Sequence, residues 1–116
     1  MIKNITKNIT LATKVVLANT SLTRMRGLLG KASLEEDSAL VILPCQSVHM
    51  FFMKFSIDVV FVNKDNVVVG LCSNIPPFAF SPIFWKSACA IELPTGTIER
   101  TKTEIGDLMS NLRNFR

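Results

Sequence analysis

His49–Val62 reads HMFFMKFSIDVVFV, and the placing of this stretch decides the fold. Its second half, Ile57–Val62, is β-branched and aromatic, the composition of a pleated, buried strand. One member is out of keeping. Asp58 stands between Ile57 and Val59, with Phe61 close behind. In a central strand this carboxylate would be desolvated, and burying it ionised and unpaired costs several kcal/mol. It is therefore expected to have a cationic or N–H partner, or a raised pKa.

Working outward, Gln46–Met53 reads as a strand joined to Ile57–Asn63 by Lys54-Phe55-Ser56. That link is too short for a crossover helix, so the two are expected to be antiparallel neighbours. Asn63-Lys64-Asp65-Asn66 is a turn, with Asn66 able to take the left-handed conformation. Val67–Cys72 returns as a strand. Upstream, Ser38–Leu43 runs continuously apolar up to Pro44, as a strand buried on both faces does. The acidic Glu35-Glu36-Asp37 before it reads as a solvated loop. Residues 8–18, NITLATKVVLA, have strand composition with imperfect alternation.

Between these, Leu22, Met25, Leu28 and Leu29 fall on one face of a short helix, LTRMRGLLG, with Thr20 or Ser21 as cap and Gly30 as stop. Downstream, Ala88–Leu93 is a strand ending at Pro94. Thr97 is expected to cap one short helical turn through Arg100, and Gly106-Asp107 turns the chain into a last strand, Leu108–Leu112. The expected fold is mainly β: a single domain, residues 1–116, forming an antiparallel β-sandwich or partly open barrel of about seven short strands with one helix in the N-terminal half.

Composition narrows the class. Nearly half of the 116 residues are apolar and 19% are charged, which excludes a disordered chain. Asn66–Trp85 carries no charge, but Pro76, Pro77 and Pro82 interrupt it, so it is not a transmembrane helix. The start, MIKNITKNIT, lacks the apolar core of a signal peptide, and a cytoplasmic location is expected. Cys45, Cys72 and Cys89 are widely spaced and odd in number, as buried thiols in a reducing compartment would be. The net charge of +4 comes from scattered Lys and Arg, so no nucleic-acid partner is expected.

With the segments laid out, a resemblance is visible. Arg24-Met25-Arg26-Gly27-Leu28-Leu29-Gly30, then Cys45-x-x-x-His49 running on through Asp58 to Phe61, then Glu92-Leu93-Pro94-x-Gly96-Thr97-x-Glu99-Arg100 and Gly106-Asp107 are similar to the domain-of-unknown-function 192 family. The resemblance runs from about Leu11 to Leu112. It implies a single small domain, mostly β, and no assigned activity. Ser56 stands where proline is usual in that family, and the loop 76–86 is more aromatic than in its relatives.

Two candidate sites follow. The first is a polar cluster of Arg26, His49, Asp58, Glu92, Arg100 and Asp107. Two carboxylates at the ends of apolar strand faces could serve as acid and base if their environments differed. The structural reading is favoured: an internal network in which Arg26 and Arg100 hold Asp58 and Glu92 by bidentate hydrogen bonds. His49 is the only histidine. In an extended strand its Cα lies about 13 Å from that of Cys45, too far for a nucleophile pair. No metal site and no cofactor are expected.

The second candidate is Asn74–Lys86, NIPPFAFSPIFWK, whose Phe78, Phe80, Phe84 and Trp85 supply a large apolar surface. It reads as a lid over an open end of the sandwich, or as a docking surface for a partner or a membrane interface with Trp85 and Lys86 at the rim. The function expected is a non-enzymatic β-domain binding a protein or small-molecule partner. The alternative is a small enzyme using the Asp/Glu/Arg cluster with His49.

Overall fold

The computed structural model describes residues 1–18, 34–48, 50, 54–110 and 112. Their regular elements are β1 (Ile2–Asn4), β2 (Ile9–Ala12), β3 (Lys14–Ala18), β4 (Ser38–Ile42), β5 (Ile57–Val62), β6 (Val68–Ile75), β7 (Cys89–Pro94) and α1 (Thr97–Thr101). β1 and β2 form a two-stranded sheet, and the other strands form a five-stranded sheet in the order β3-β4-β7-β5-β6. The chain is mainly β, and these strands do not close into a barrel. The helix expected at 22–30 lies outside the described residues.

β5 is central, with all six of its residues buried and a neighbour on each side. Period-2 alternation sends Ile57, Val59 and Phe61 to one face and Asp58, Val60 and Val62 to the other. On the second face Val60, Val62, Ile91 and Leu93 pack with Ile2 and Leu11 of the hairpin, Ile98 of α1, and Met109 and Leu112. On the first face Val59, Phe61 and Ala90 pack with Val48, Met50, Ala79 and Phe84.

That first face corrects an expectation. Residues 46–48 and 50 are not beside β5, whose two edges are already occupied. They pair irregularly with 78–84: Met50 N donates to Ala79 O and Phe78 N to Met50 O, both at 2.8 Å. Ser81 N donates to Val48 O at 2.9 Å and Phe84 N to Gln46 O at 2.7 Å. These two runs make a ribbon laid across the sheet face, so the loop after β6 is built into a layer. Residues 51–53 lie outside the described residues.

Three further departures have local causes. The run 8–18 is broken at Thr13 into two strands in different sheets. Thr13 N donates to Asp37 O at 3.1 Å and to Asp37 Oδ1 at 3.0 Å, which pins a corner there. β3 and β4 are parallel, with residues 19–37 between them, long enough for a crossover. At the C-terminus, Leu108 and Met109 form single bridges to Val67 and Asn4 in place of a strand. Asn66 takes φ 66° at the β5–β6 turn, as its sequence position suggested.

Gly70 marks where the ribbon meets the sheet. A Cβ built there would lie 2.5 Å from two carbons of the Phe84 ring, and that ring packs on Phe61 with centroids 4.6 Å apart. Gly70→Ala is therefore expected to lower stability by about 1–3 kcal/mol in urea unfolding, and to cost less than half of that in a Phe84→Leu background. Equal costs in both backgrounds would remove the close approach as the reason for glycine.

Candidate functional site

Asp58 is 1% exposed, and both of its oxygens are taken by backbone amides. Asn74 N donates to Oδ1 at 2.9 Å, and Ile98 N donates to Oδ2 at 3.0 Å. Each donor exists because of a local irregularity. Between the pairs Ile57–Ile75 and Val59–Cys72, β6 has two residues, Ser73 and Asn74, against the single Asp58 of β5. This bulge takes the Asn74 amide out of the ladder and, with φ 54°, turns it towards the carboxylate.

Ile98 sits in the first turn of α1, whose N-cap is Gly96 at φ 91°, a residue with no side chain to accept from the helix amides. Asp58 supplies that acceptor from the neighbouring strand, and its negative charge suits the positive end of the helix. The carboxylate is thus a remote helix cap. The expectation of an N–H partner is met, and that of a guanidinium from Arg100 is not. Arg100 donates to the carbonyls of Thr10 at 3.4 Å and Leu11 at 3.2 Å, tying α1 to β2. Arg26 and His49 lie outside the described residues.

Glu92 does not join Asp58. It pairs with Val59 and Leu40 in the sheet, and so projects on the face opposite Asp58, whose cross-strand partner is Leu93. Glu92 is buried and engaged in an interaction of its own. The sheet itself separates the two carboxylates. An open depression of about 380 Å³ beside α1 is lined by Glu36, Asp37, Pro94, Thr95, Gly96, Thr97 and Arg100, and neither Asp58 nor Glu92 opens into it.

Asp107 belongs to a third place, where the N-terminal hairpin meets the chain after α1. Its carboxylate accepts from Asn4 Nδ2 at 2.9 Å, from Lys7 Nζ at 2.9 and 3.0 Å, and from Glu104 N at 2.9 Å. Asn4 Nδ2 also donates to Thr103 Oγ1 at 3.2 Å, and Lys7 pairs with Glu104 at 3.0 Å. Burial alone would push the Asp107 carboxyl up. The hydrogen bonds from Asn4, Lys7 and the Glu104 amide outweigh it, and hold the carboxyl below its ordinary value. Hydrogen bonds to Asp107 and then Glu104 hold the Lys7 ammonium above its own. Lys7 and Asn4 were not legible as partners, because a polar N-terminus carries no periodic signal.

The aromatic loop is split in two. Phe84 is half-buried on Phe61, while Phe78, Phe80 and Trp85 are 64%, 68% and 75% exposed. Ile83 is exposed as well, which the sequence reading did not single out. From 78 to 81 exposure alternates: Phe78 and Phe80 are exposed, Ala79 packs with the cluster on the sheet, and Ser81 is buried with its Oγ accepting from Val48 N at 2.9 Å. The C-terminal end is tied down by hydrogen bonds from Gln46 Nε2 to Trp85 O and from Ser87 Oγ to Cys45 O, each 2.8 Å. The lid reading holds for Phe84 and fails for the other three.

No disulfide joins Cys45, Cys72 or Cys89, and burial pushes the Cys72 thiol up, away from reactivity. Among the described residues, no group of three metal-binding side chains converges, and no helix is long and apolar enough to cross a membrane.

A small mainly-β domain with a capped internal carboxylate and an aromatic outer loop is the class these features define. The DUF192 family model, described as "Uncharacterized ACR", matches residues 2–111, and the chain belongs to that family. A UPF0127 protein of Thermococcus sibiricus is 37% identical over 113 residues, covering 92% of this chain and 71% of the relative. A UPF0127 protein of Pyrococcus horikoshii is 35% identical over 113 residues, covering 92% and 95%. A crystal structure of a protein of unknown function from Novosphingobium aromaticivorans superposes with a TM-score of 0.75 at 22% identity, covering 84% of this chain and 74% of that one. A crystal structure from Sinorhizobium meliloti, described as that of a "putative transcription regulator", gives 0.71 at 22%, covering 83% and 79%. These last two likenesses speak to the fold alone.

Two measurements check the assignments. Asp58→Asn exchanges a charged acceptor of two amides for a neutral group with one acceptor atom, and is expected to cost about 2–4 kcal/mol in urea unfolding. Unchanged stability would take Asp58 out of its capping role. Asp107 is held below its unfolded value of 3.8, so its contribution is complete above that pH and is lost as pH falls through the lower, folded-state value. Asp107→Asn should therefore flatten the acid side of the stability–pH curve and leave its shape between neutral and mildly acidic pH unchanged. An acid limb as steep as in the parent chain would contradict this.

Proposed function

We propose that this is a non-enzymatic binding domain whose contact surface is the outer side of the loop 76–86. The observation that carries the reading is the exposure of Phe78, Phe80 and Trp85 on a segment whose inner side, through Ala79, Ser81 and Phe84, is packed against the sheet. Three aromatics of this exposure present on the order of 400 Å² of apolar surface, at the upper end of what a monomer leaves unused. Such surface on an anchored loop costs solubility and needs a reason.

The enzyme reading loses its support in the same geometry. Asp58 and Glu92 face opposite sides of one sheet, Asp58 is saturated by two amides, and Arg100 is spent on strand carbonyls. The bonds of Asp58, Arg100 and Asp107 all run to groups that hold the fold together, which supports a structural reading of these three. A cytoplasmic setting fits three thiols that form no disulfide.

Joint replacement of Phe78, Phe80 and Trp85 by serine tests the reading. The melting temperature is expected to stay within a few degrees of the parent, since none of the three is buried. Loop-dependent capture from the soluble and membrane fractions of a cell extract is expected to disappear. A melting temperature lowered as by a core mutation, or capture that survives the replacement, would overturn it.

A further inference from the structure

The occupant of this surface can be argued further, on the footing that the loop is the contact surface. From Asn66 to Ile91 the chain carries one charge, the Lys86 ammonium, which follows Trp85 directly and is exposed. Lys54 is exposed as well and precedes Phe55, which packs into the same cluster as Ala79 and Phe84. The surface is therefore apolar with a basic edge, on a domain of net charge +4. A second copy of the chain would bring like charges together. Its loop would also offer about half of the roughly 800 Å² per partner that a stable protein interface takes.

An anionic lipid surface meets all three features. Phe78 and Phe80, two residues apart and both exposed, can enter the apolar layer without any chain having to match their shape. Trp85 combines a large ring with an N–H donor, the side chain best suited to headgroup depth, and lysines beside it meet the negative headgroups. A few inserted aromatics and one or two lysines make a reversible contact, one that requires no membrane-spanning segment.

We propose that the loop 76–86 docks this domain on bilayer surfaces rich in anionic headgroups, with Phe78 and Phe80 inserted, Trp85 at the interface and Lys86 against the headgroups. Trp85 is the only tryptophan, so its emission reports on the loop alone. The test titrates the full chain with vesicles of phosphatidylglycerol or of phosphatidylcholine, following Trp85 emission and co-flotation.

The expected result is a shift of emission to shorter wavelength, with flotation, on phosphatidylglycerol and far less on phosphatidylcholine, weakened by salt. Phe78→Ser/Phe80→Ser should weaken binding about tenfold or more with an unchanged melting curve, and Lys86→Glu should weaken it on anionic vesicles. No shift and no flotation on phosphatidylglycerol overturns the proposal, as does full binding by the double serine variant. A shift that grows with protein concentration in the absence of vesicles also overturns it, in favour of self-association. If vesicles fail while loop-dependent capture of a soluble protein succeeds, the lipid assignment falls and the binding surface stands. If both fail, the surface itself is wrong.

Discussion

A carboxylate held inside an apolar strand has to be met by donors, and in this chain the donors come from the backbone. Asp58 lies at the centre of the five-stranded sheet, and its two acceptors reach in opposite directions, to Asn74 of β6 and to Ile98 of α1. Neither amide would be free in regular structure. One is released by a bulge and the other by the start of a helix, which always leaves its first amides unpaired. The bulge, the glycine cap at Gly96 and the buried charge are therefore one feature. Removing any of the three leaves a buried polar group without its match. Because the donors are neutral amides fixed by the fold, the site is satisfied and closed, and it is a poor place to look for proton transfer.

The sheet then divides the molecule into two unlike halves. On the Asp58 side, the β1–β2 hairpin, α1 and the segment around Met109 cover the apolar face, and they are held to one another by Arg100 on the β2 carbonyls and by Asp107 with Lys7 and Asn4. That side is bound by polar ties at its margins and apolar contact within. On the Glu92 side, the cover is the irregular ribbon of 46–48, 50 and 78–84, which packs Val48, Met50, Ala79 and Phe84 inward and leaves Phe78, Phe80 and Ile83 exposed. Phe78, Phe80 and Trp85, the exposed aromatics, belong to the second half, while the first leaves single aliphatics such as Ile5 and Ile105 exposed.

How much of this was legible in the sequence follows from which signals are local. β4, β5 and β7 announce themselves because strands buried on both faces must be continuously apolar, and the position of Asp58 within β5 marked the one residue requiring a partner. The turn at Asn66 and the short helix after Gly96 follow from residue chemistry. The identity of the Asp58 partner was not legible, since a backbone amide leaves no trace in residue type while an arginine does. Nor was the pairing of 46–48 and 50 with 78–84, which joins segments about thirty residues apart and has no regular register to read. The strand β1 was missed for a related reason. Ile2 and Asn4 are both buried, one apolar and one polar, and three residues make no pattern.

The separation of Asp58 from Glu92 shows why strand parity has to precede any catalytic reading. Asp58 pairs with Leu93 and Glu92 with Val59, so the two acids are offset by one step between adjacent strands. In a sheet, a one-residue offset is the difference between two side chains on one face and two on opposite faces. Each strand taken alone puts its acid at the edge of an apolar face, and both descriptions are correct. What no single strand states is which face is shared, and that depends on the register between β5 and β7. In the loop, the exposed Phe80 stands between Ala79, which packs in the cluster on the sheet, and the buried Ser81, while Phe78 sits at φ 67° in the turn closed by Ala79 N on Pro76 O, and backbone bonds to Val48 and Met50 hold the segment there. A flexible loop could fold its aromatics back onto the protein. This one cannot do so without giving up those bonds and the packing of Phe84 against Phe61 and Gly70. The exposed rings are thus a consequence of how the inner side is packed, which is what makes them available for contact outside the molecule.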